Sequence, residues 1–282
     1  MDFSPAIQCI DKAKHIGFIL PLHPNHDILA CAEVIARFLI SRNVCVSIIT
    51  RLDSALLNRE TAFPTLGSLK PPTRELVISL DTVVTPISQL RYEHANNRVD
   101  IILSPALRTI AQDNIIFGQG RTQCDCIITL GIDDIKQTDH TTADTNPSIF
   151  SEIPIIAMDI SPKHAAYGQV NLIDPSLSSI AELTHRFLAS FPRYVIPAQD
   201  ATLLLSGILS RSADFTLFAN ADTLLTSHKL IDLGAEYKAA CILSRASTPF
   251  SLMPLIGRAL ARSRIDDEKR ITWSCVTQGD FL

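Results

Sequence analysis

Short apolar runs alternate with helical periodicity in the first part of the chain. Residues 14–20 (KHIGFIL) and 44–50 (VCVSIIT) are apolar and short, as buried strands are. Between them, apolar residues recur at helical spacing over residues 29–40, after a loop that contains the polar residues 23–27. This order predicts a β-α-β unit with a right-handed crossover and a parallel sheet. The loop then lies at the carboxyl ends of the strands, where open parallel sheets bind ligands.

A different pattern follows. Residues 75–80 (ELVISL) and 99–103 (VDIIL) are typical of strands, and the polar segment between them ends in Asn96 and Asn97, a pair that favours a hairpin turn. We interpret this stretch as an antiparallel insertion at about residues 70–120. The parallel pattern resumes with residues 126–130 (CIITL) and 153–158 (IPIIAM).

The second half of the chain is mainly helical. Helices are predicted over residues 178–191, with Ser178 and Ser179 near the start, and over 201–209, 222–233 and 252–264, with a final strand at 271–276. Gly234 is expected to follow the end of the third of these helices. The predicted class is α/β: a mostly parallel, doubly wound sheet with a β-hairpin insertion over about 1–240, then a helical connector and a partial second domain over 241–282.

Composition limits the classes of function. Of the 282 residues, 46% are apolar and 19% charged, so we expect a sizeable core. The net charge of −4 lacks the basic excess of a non-specific nucleic-acid binder, but leaves a local pocket for a short oligonucleotide open. The mean hydropathy of +0.21 does not indicate a membrane protein, because every apolar run is shorter than a spanning helix. The N-terminus does not resemble a signal peptide, so we expect a cytoplasmic protein.

The seven cysteines do not indicate a metal or redox site. Cys124 and Cys126 are the only close pair, and their C-x-C spacing differs from the C-x-x-C of such sites. We interpret Cys45 and Cys126 as small buried hydrophobic residues within strands.

Four segments, taken in order, resemble the metal-binding motifs of the DHH-family phosphoesterases. The most specific are residues 158–174 (MDISPKHAAYGQVNLID), with residues 178–182 (SSIAE), and residues 205–215 (LSGILSRSADF). Residues 23–33 and 125–134 are weaker matches. Within the family, the chain resembles the bacterial enzymes that degrade very short RNAs and dephosphorylate 3′-phosphoadenosine 5′-phosphate. The resemblance implies two Mn²⁺ ions, held by Asp and His at the carboxyl edge of a parallel sheet, that activate water and bind phosphate oxygens.

The chain departs from the family pattern at most of the metal-binding positions. His23, Asp27 and Asp159 stand where the family has ligands. At the other ligand positions the family's aspartates and histidines are replaced: Leu29 and Gly131 stand for aspartates, Ile160 and Ser161 for histidines, and Arg211 for an aspartate. Ile28 also replaces a family glycine. Because a guanidinium stays charged and repels a dication, we expect no metal here, or Mn²⁺ only if the site is still active.

We expect Arg211 to take the place of the lost metals. In this hypothesis His23, Asp27, Asp159 and Arg211 form a vestigial site, with Arg211 within salt-bridge or single-water reach of Asp27 or Asp159. Arg211 could instead hold a ligand phosphate together with Lys163 and His164.

Each retained residue also has a structural interpretation. Asp27 could cap the helix that follows it, and Asp159 could fix the loop after its strand. His23, His26 and His164 could be structural. Asp81 resembles a displaced second motif or a residue of a surface hairpin, and Asp133 and Asp134 could cap or face solvent.

Three functional hypotheses remain open from the sequence. The first is a catalytically impaired phosphoesterase-like protein whose cleft binds a nucleotide, a short oligonucleotide or a partner. The second is an active phosphoesterase with an altered site that acts on short oligoribonucleotides or nucleotide phosphates, and the third is a decayed product without a specific function. The family's glycine-rich, His-containing phosphate motif does not occur before Leu282, so we expect an incomplete second domain. A homodimer or another protein partner is also left open.

Overall fold

Five parallel strands form the central sheet. The computed structural model of the chain describes residues 1–50, 63–107, 109–138, 150, 153–245 and 252–281. Its strands are β1 (His15–Ile19), β2 (Cys45–Ile48), β7 (Cys126–Leu130), β8 (Ile155–Asp159) and β9 (Val170–Ile173). Their order in the sheet is β2-β1-β7-β8-β9, with every neighbouring pair parallel. The four runs predicted as strands of one parallel sheet are confirmed.

Eight α-helices accompany the sheet in the described part of the chain. They are α1 (Ser4–Lys12), α2 (His26–Ser41), α3 (Pro64–Ser68), α4 (Ile180–Ala189), α5 (Ala198–Arg211), α6 (Ala221–Asp232), α7 (Tyr237–Arg245) and α8 (Met253–Ala261). Helices α1, α3 and α7 were not predicted. Helix α2 begins three residues before its predicted start, because the side chain of Asn25 accepts a hydrogen bond from the N–H of Ile28 and caps it there.

Two apolar clusters cover the two faces of the sheet. The larger contains Ile16 and Phe18 of β1 together with side chains of helices α1 to α7. Ile19, whose side chain points to the opposite face, belongs to the smaller cluster with Ile127 and Ile155. Both faces of the central strands are therefore buried, which explains why these strands are almost continuously apolar.

The insertion is antiparallel, as predicted, but its pairing differs from the expectation. It consists of β3 (Arg74–Leu80), β4 (Ile87–Ala95), β5 (Arg98–Pro105) and β6 (Ile115–Thr122). Strands β4 and β5 form a hairpin whose turn residues Asn96 and Asn97 have φ angles of 51° and 59°. Strand β3 pairs with β6 and not with β5, and the segment expected to separate two strands belongs to β4. These four strands are called the arm below.

The end of the chain forms a small helix and hairpin. Helix α8 stops at Ala261, so the prediction of a helix to residue 264 was wrong: Arg264 opens β10 (Arg264–Asp266), which pairs with β11 (Ile271–Trp273). Gly234 follows α6 with a φ of +94°, as expected for a residue that ends a helix. Among the described residues, no helix is long and apolar enough to cross a membrane.

Candidate functional site

A cavity of about 500 Å³ opens at the carboxyl edge of the sheet. It lies at the ends of β7 and β8, beside the start of α2, the start of α4 and the end of α5. The size is within the range of small-molecule sites. Polar and apolar residues line it together: Asn25, Asp27, Ile28, Gly131, Asp159, Ile160, Ser161, Pro162, Pro175, Ser176, Leu177, Ser178, Ile180, Arg211 and Phe218.

Asp27 is bound at the start of helix α4. Its side chain is 2% exposed, and its two carboxylate oxygens accept hydrogen bonds from the N–H groups of Ile180 (2.8 Å) and Ala181 (3.0 Å). The structural interpretation in which Asp27 caps its own helix is wrong, since Asn25 caps α2 and Asp27 binds α4 instead. Burial raises the pKa of Asp27 to about 6, against the opposing effects of these two N–H groups and of the Arg211 charge.

Asp159 ends strand β8 and is 4% exposed. One of its oxygens, Oδ1, accepts hydrogen bonds from the N–H groups of Ile160 (2.6 Å) and Ser161 (3.1 Å), which fixes the loop after the strand. Its other oxygen, Oδ2, is buried and has no hydrogen-bond partner among the described residues. Burial is the main cause that raises the pKa of this carboxyl. The structure therefore contains a buried carboxyl oxygen at the cavity that a ligand donor could satisfy.

Ile28, on the opposite wall of the cavity, fills the space beside residue 131, where the resemblance implies an aspartate. Gly131 has a φ of +65°, and an ideal Cβ built on it would lie 2.6 Å from Cδ1 of Ile28. Ile28 itself stands where the resemblance implies a glycine. At these two positions, an apolar side chain occupies the space in which the resemblance implies an acidic one.

Arg211 lines the cavity but makes no direct ion pair with either aspartate. It is the last residue of α5, it is exposed, and its guanidinium lies over the ring of Phe218 at 5.2 Å. Within the described residues no ion pair joins it to Asp27 or Asp159. The expectation of a direct salt bridge was therefore wrong, while its alternative, a contact through one water, stays a prediction. Its charge still lowers the pKa of Asp27.

Three of the candidate residues lie away from the cavity lining. His23 and Lys163 are exposed at the surface, and neither is among the lining residues. The ring of His164 stacks on Tyr167 at 4.8 Å, and its Nδ1 accepts a hydrogen bond from the N–H of Ala166 (2.9 Å). The structure therefore brings together Asp27, Asp159 and Arg211, but not His23, Lys163 and His164.

The roles of two further residues, Phe218 and His26, were missed by the sequence analysis. Phe218 lies seven residues beyond Arg211 in an irregular segment, and only the turn that follows α5 brings its ring to the cavity. His26, interpreted as a residue near a helix start, is buried and bonds to Oγ of Ser206 at 2.8 Å. No local sequence signal distinguishes these two roles, because both depend on contacts with α5.

The residues present do not fit the two Mn²⁺ ions that the resemblance implies. Both oxygens of Asp27 already accept backbone hydrogen bonds, and Ile28 fills the space beside Gly131. In the described ranges, no group of three or more His, Cys, Asp and Glu side chains is placed to hold a metal ion. Divalent cations of this kind need several oxygen or imidazole ligands to replace their hydration shell.

Comparison with solved structures finds a protein of similar fold. The fold resembles the crystal structure of an exopolyphosphatase-related protein from Bacteroides fragilis, with a TM-score of 0.69, 13% sequence identity, and coverage of 99% of this chain and 70% of that one. No family model matches the sequence. No curated protein matches it either. The likeness shows the fold alone, an α/β fold with a central parallel sheet.

Proposed function

We propose that this chain is a phosphoesterase-like protein of the DHH type that binds a small phosphorylated ligand, a nucleotide or a very short oligonucleotide, without hydrolysing it through bound metals. One observation carries the proposal: the same cavity is lined by Arg211, which has no ion-pair partner among the described residues, and by Asp159, whose buried Oδ2 has no hydrogen-bond partner there. A ligand that satisfies both needs an anionic group and a hydrogen-bond donor.

The charges of the cavity support this ligand class. The carboxylate of Asp27 is compensated by two N–H groups at the positive end of α4, so it does not need Arg211. Arg211 is then free to bind a phosphate through its planar donors. A sugar hydroxyl or base amino group can donate to Asp159, and the ring of Phe218 offers a face on which a base can stack.

Calorimetry without metal tests the binding. With EDTA present at pH 7.5, we expect 3′-phosphoadenosine 5′-phosphate or a diribonucleotide to bind the wild-type chain. Arg211→Ala should weaken that binding by about tenfold to a hundredfold, the equivalent of one charge-assisted hydrogen bond. Lys163→Ala is the matched control, because Lys163 is an exposed cation beside the cavity that is not among the residues lining it. An affinity that Arg211→Ala leaves unchanged, or a wild type that binds neither ligand, contradicts the proposal.

A hydrolysis assay tests whether Mn²⁺ supports catalysis by this chain. The same substrates with Mn²⁺ should show no turnover above a buffer blank, and titration of Mn²⁺ alone should show no binding at the cavity. Gly131→Asp alone should not restore activity, because the other ligands of the set remain absent.

A second candidate, a phosphoesterase with an altered site, is favoured by Asp159 itself. A buried carboxyl with a raised pKa and one free oxygen is a suitable general acid or base. Turnover of either substrate that is lost in both Asp159→Ala and Asp159→Asn would favour this candidate over the binding protein.

A further inference from the structure

The arm carries large apolar side chains that are exposed to solvent. In its outer ribbon, β4 and β5, Leu90 is 65% exposed, Tyr92 76% and Ile101 54%. The extensive contacts of the four strands are confined to the pairs β3 with β6 and β4 with β5. The arm therefore does not use its apolar side chains to cover the rest of the protein.

The outer ribbon is two-sided. Directly paired residues of an antiparallel ribbon share a face, and the face alternates with each residue. One face consists of the pairs Leu90 with Leu103, Tyr92 with Ile101, and His94 with Val99. The other face includes the pairs Glu93 with Asp100, Arg91 with Ile102, and Ala95 with Arg98. All four charged side chains of these pairs are thus on one face, and the opposite face is apolar except for His94.

The inner ribbon, β3 and β6, also has an apolar face. Ile78 is paired with Phe117, and Leu80 with Ile115, so these four side chains share one side. Leu76 lies on the same side two residues before Ile78, and Leu76 and Phe117 are 68% and 67% exposed. A two-stranded ribbon is at best marginally stable in water unless further strands or a second layer cover its apolar face. The arm needs such a cover.

We infer that a second copy of this chain provides it, with the apolar faces of the outer ribbons of two arms packed against each other about a twofold axis. The exposed side chains of this face (Leu90, Tyr92, Val99 and Ile101) offer on the order of 500 Å² of surface, so that a pair of chains buries about 1,000 Å², the lower limit for a specific interface. An apolar area of this extent is at the upper end of what a monomer usually leaves exposed.

The charge distribution favours self-association over a partner of a different kind. A twofold interface brings a patch against its own copy, so a charged face would repel itself. The apolar face of the outer ribbon has no Lys, Arg, Asp or Glu in its described pairs. On the opposite face, Arg91 lies near Glu93 and Arg98 near Asp100, at 3.6 Å and 3.7 Å, so the charges balance within each arm.

The test is the mass of the full chain in solution, measured by light scattering on a sizing column and by sedimentation at several concentrations. We expect a particle of twice the 31.0 kDa of one chain. The variant Tyr92→Lys/Ile101→Lys places two lysines on one cross-strand pair of the apolar face and should give a monomer. The matched control, Glu93→Lys/Asp100→Lys, places two lysines on the adjacent pair of the opposite face and should stay a dimer.

A deletion separates loss of the interface from loss of folding. The chain enters and leaves the arm at one place, where the N–H of Gln123 donates to the carbonyl of Thr73 at 2.9 Å, so a short Gly-Ser linker can replace residues 74–122. This variant should be monomeric and keep the circular dichroism and thermal transition of the α/β body. A monomeric wild type overturns the inference, as does dimerisation that persists without the arm or that both lysine pairs abolish equally.

Discussion

The side chain of Ile28 lies where any side chain on Gly131 would have to go, because a Cβ built on Gly131 would be 2.6 Å from Ile28 Cδ1. A carboxylate at residue 131, which the resemblance implies, would therefore require the Ile28 side chain to shift. Helix α2 and the loop after β7 contact each other at this point of the cavity.

Gly131→Asp should therefore destabilise the protein by about 2–4 kcal/mol, from overpacking and from a left-handed backbone that side chains disfavour. Ile28→Gly is destabilising by itself, since it removes a buried side chain from a helix. The double variant should nevertheless be more stable than the sum of the two changes predicts, by about 1–2 kcal/mol. Urea unfolding of the four proteins gives this coupling, and strictly additive effects would contradict the contact.

Gly207 of helix α5 should be sensitive to the smallest side chain. A Cβ there would lie 2.9 Å from Oδ1 of Asp27 and 3.2 Å from Cβ of Ala181, where α5 packs on α2 and α4. Gly207→Ala should destabilise by about 1–3 kcal/mol through overpacking. Gly257→Ala in α8 is the control: nothing lies within 4 Å of its Cβ, so higher helix propensity should make it neutral or stabilising by up to about 1 kcal/mol. Equal effects of both substitutions in thermal unfolding would refute the close packing.

Asp27 should make stability depend on pH in an unusual direction. Its pKa of about 6 in the folded protein is higher than in the unfolded chain, so folding favours the protonated form. The stabilisation is complete below about pH 4 and is lost as the pH rises through about 6, by up to about 3 kcal/mol. The stability of the wild type relative to Asp27→Asn should decrease over this interval in urea unfolding. A difference that is constant with pH would show that Asp27 has an ordinary pKa.

Arg211→Ala should change the pKa of Asp27 but have little effect on the free energy of unfolding. Since Arg211 is exposed and contacts Phe218, its removal should cost no more than about 1 kcal/mol. The pKa of Asp27 should rise further, because the Arg211 charge lowers it. Carbon-13 NMR titration of the Asp27 carboxyl measures the shift, and Lys163→Ala should leave it unchanged. No shift in the Arg211 variant would mean that the charge does not act on the cavity.

The sequence by itself determined the central architecture. In residues 126–130 every position is buried and all but Thr129 are apolar, because both faces of the strand are covered, so the pattern indicates a central parallel strand. The sequence also predicted the hairpin turn at Asn96-Asn97 and the helix end at Gly234, because a backbone with positive φ favours a few residue types. The same local pattern placed Asp27 and Asp159 at the carboxyl edge of the sheet, because Asp27 follows the first strand and Asp159 ends β8.

Only the tertiary structure decided what these residues do. The oxygens of Asp27 bind the start of α4, more than 150 residues later, and no sequence signal distinguishes this contact from a cap of the following helix. The pairing of β3 with β6, the contact of Ile28 with Gly131 and the approach of Phe218 to the cavity likewise join distant segments. Local patterns fix strands, helices and turns because their causes are local. Partners across the fold depend on how whole elements pack, and that information is spread over the chain.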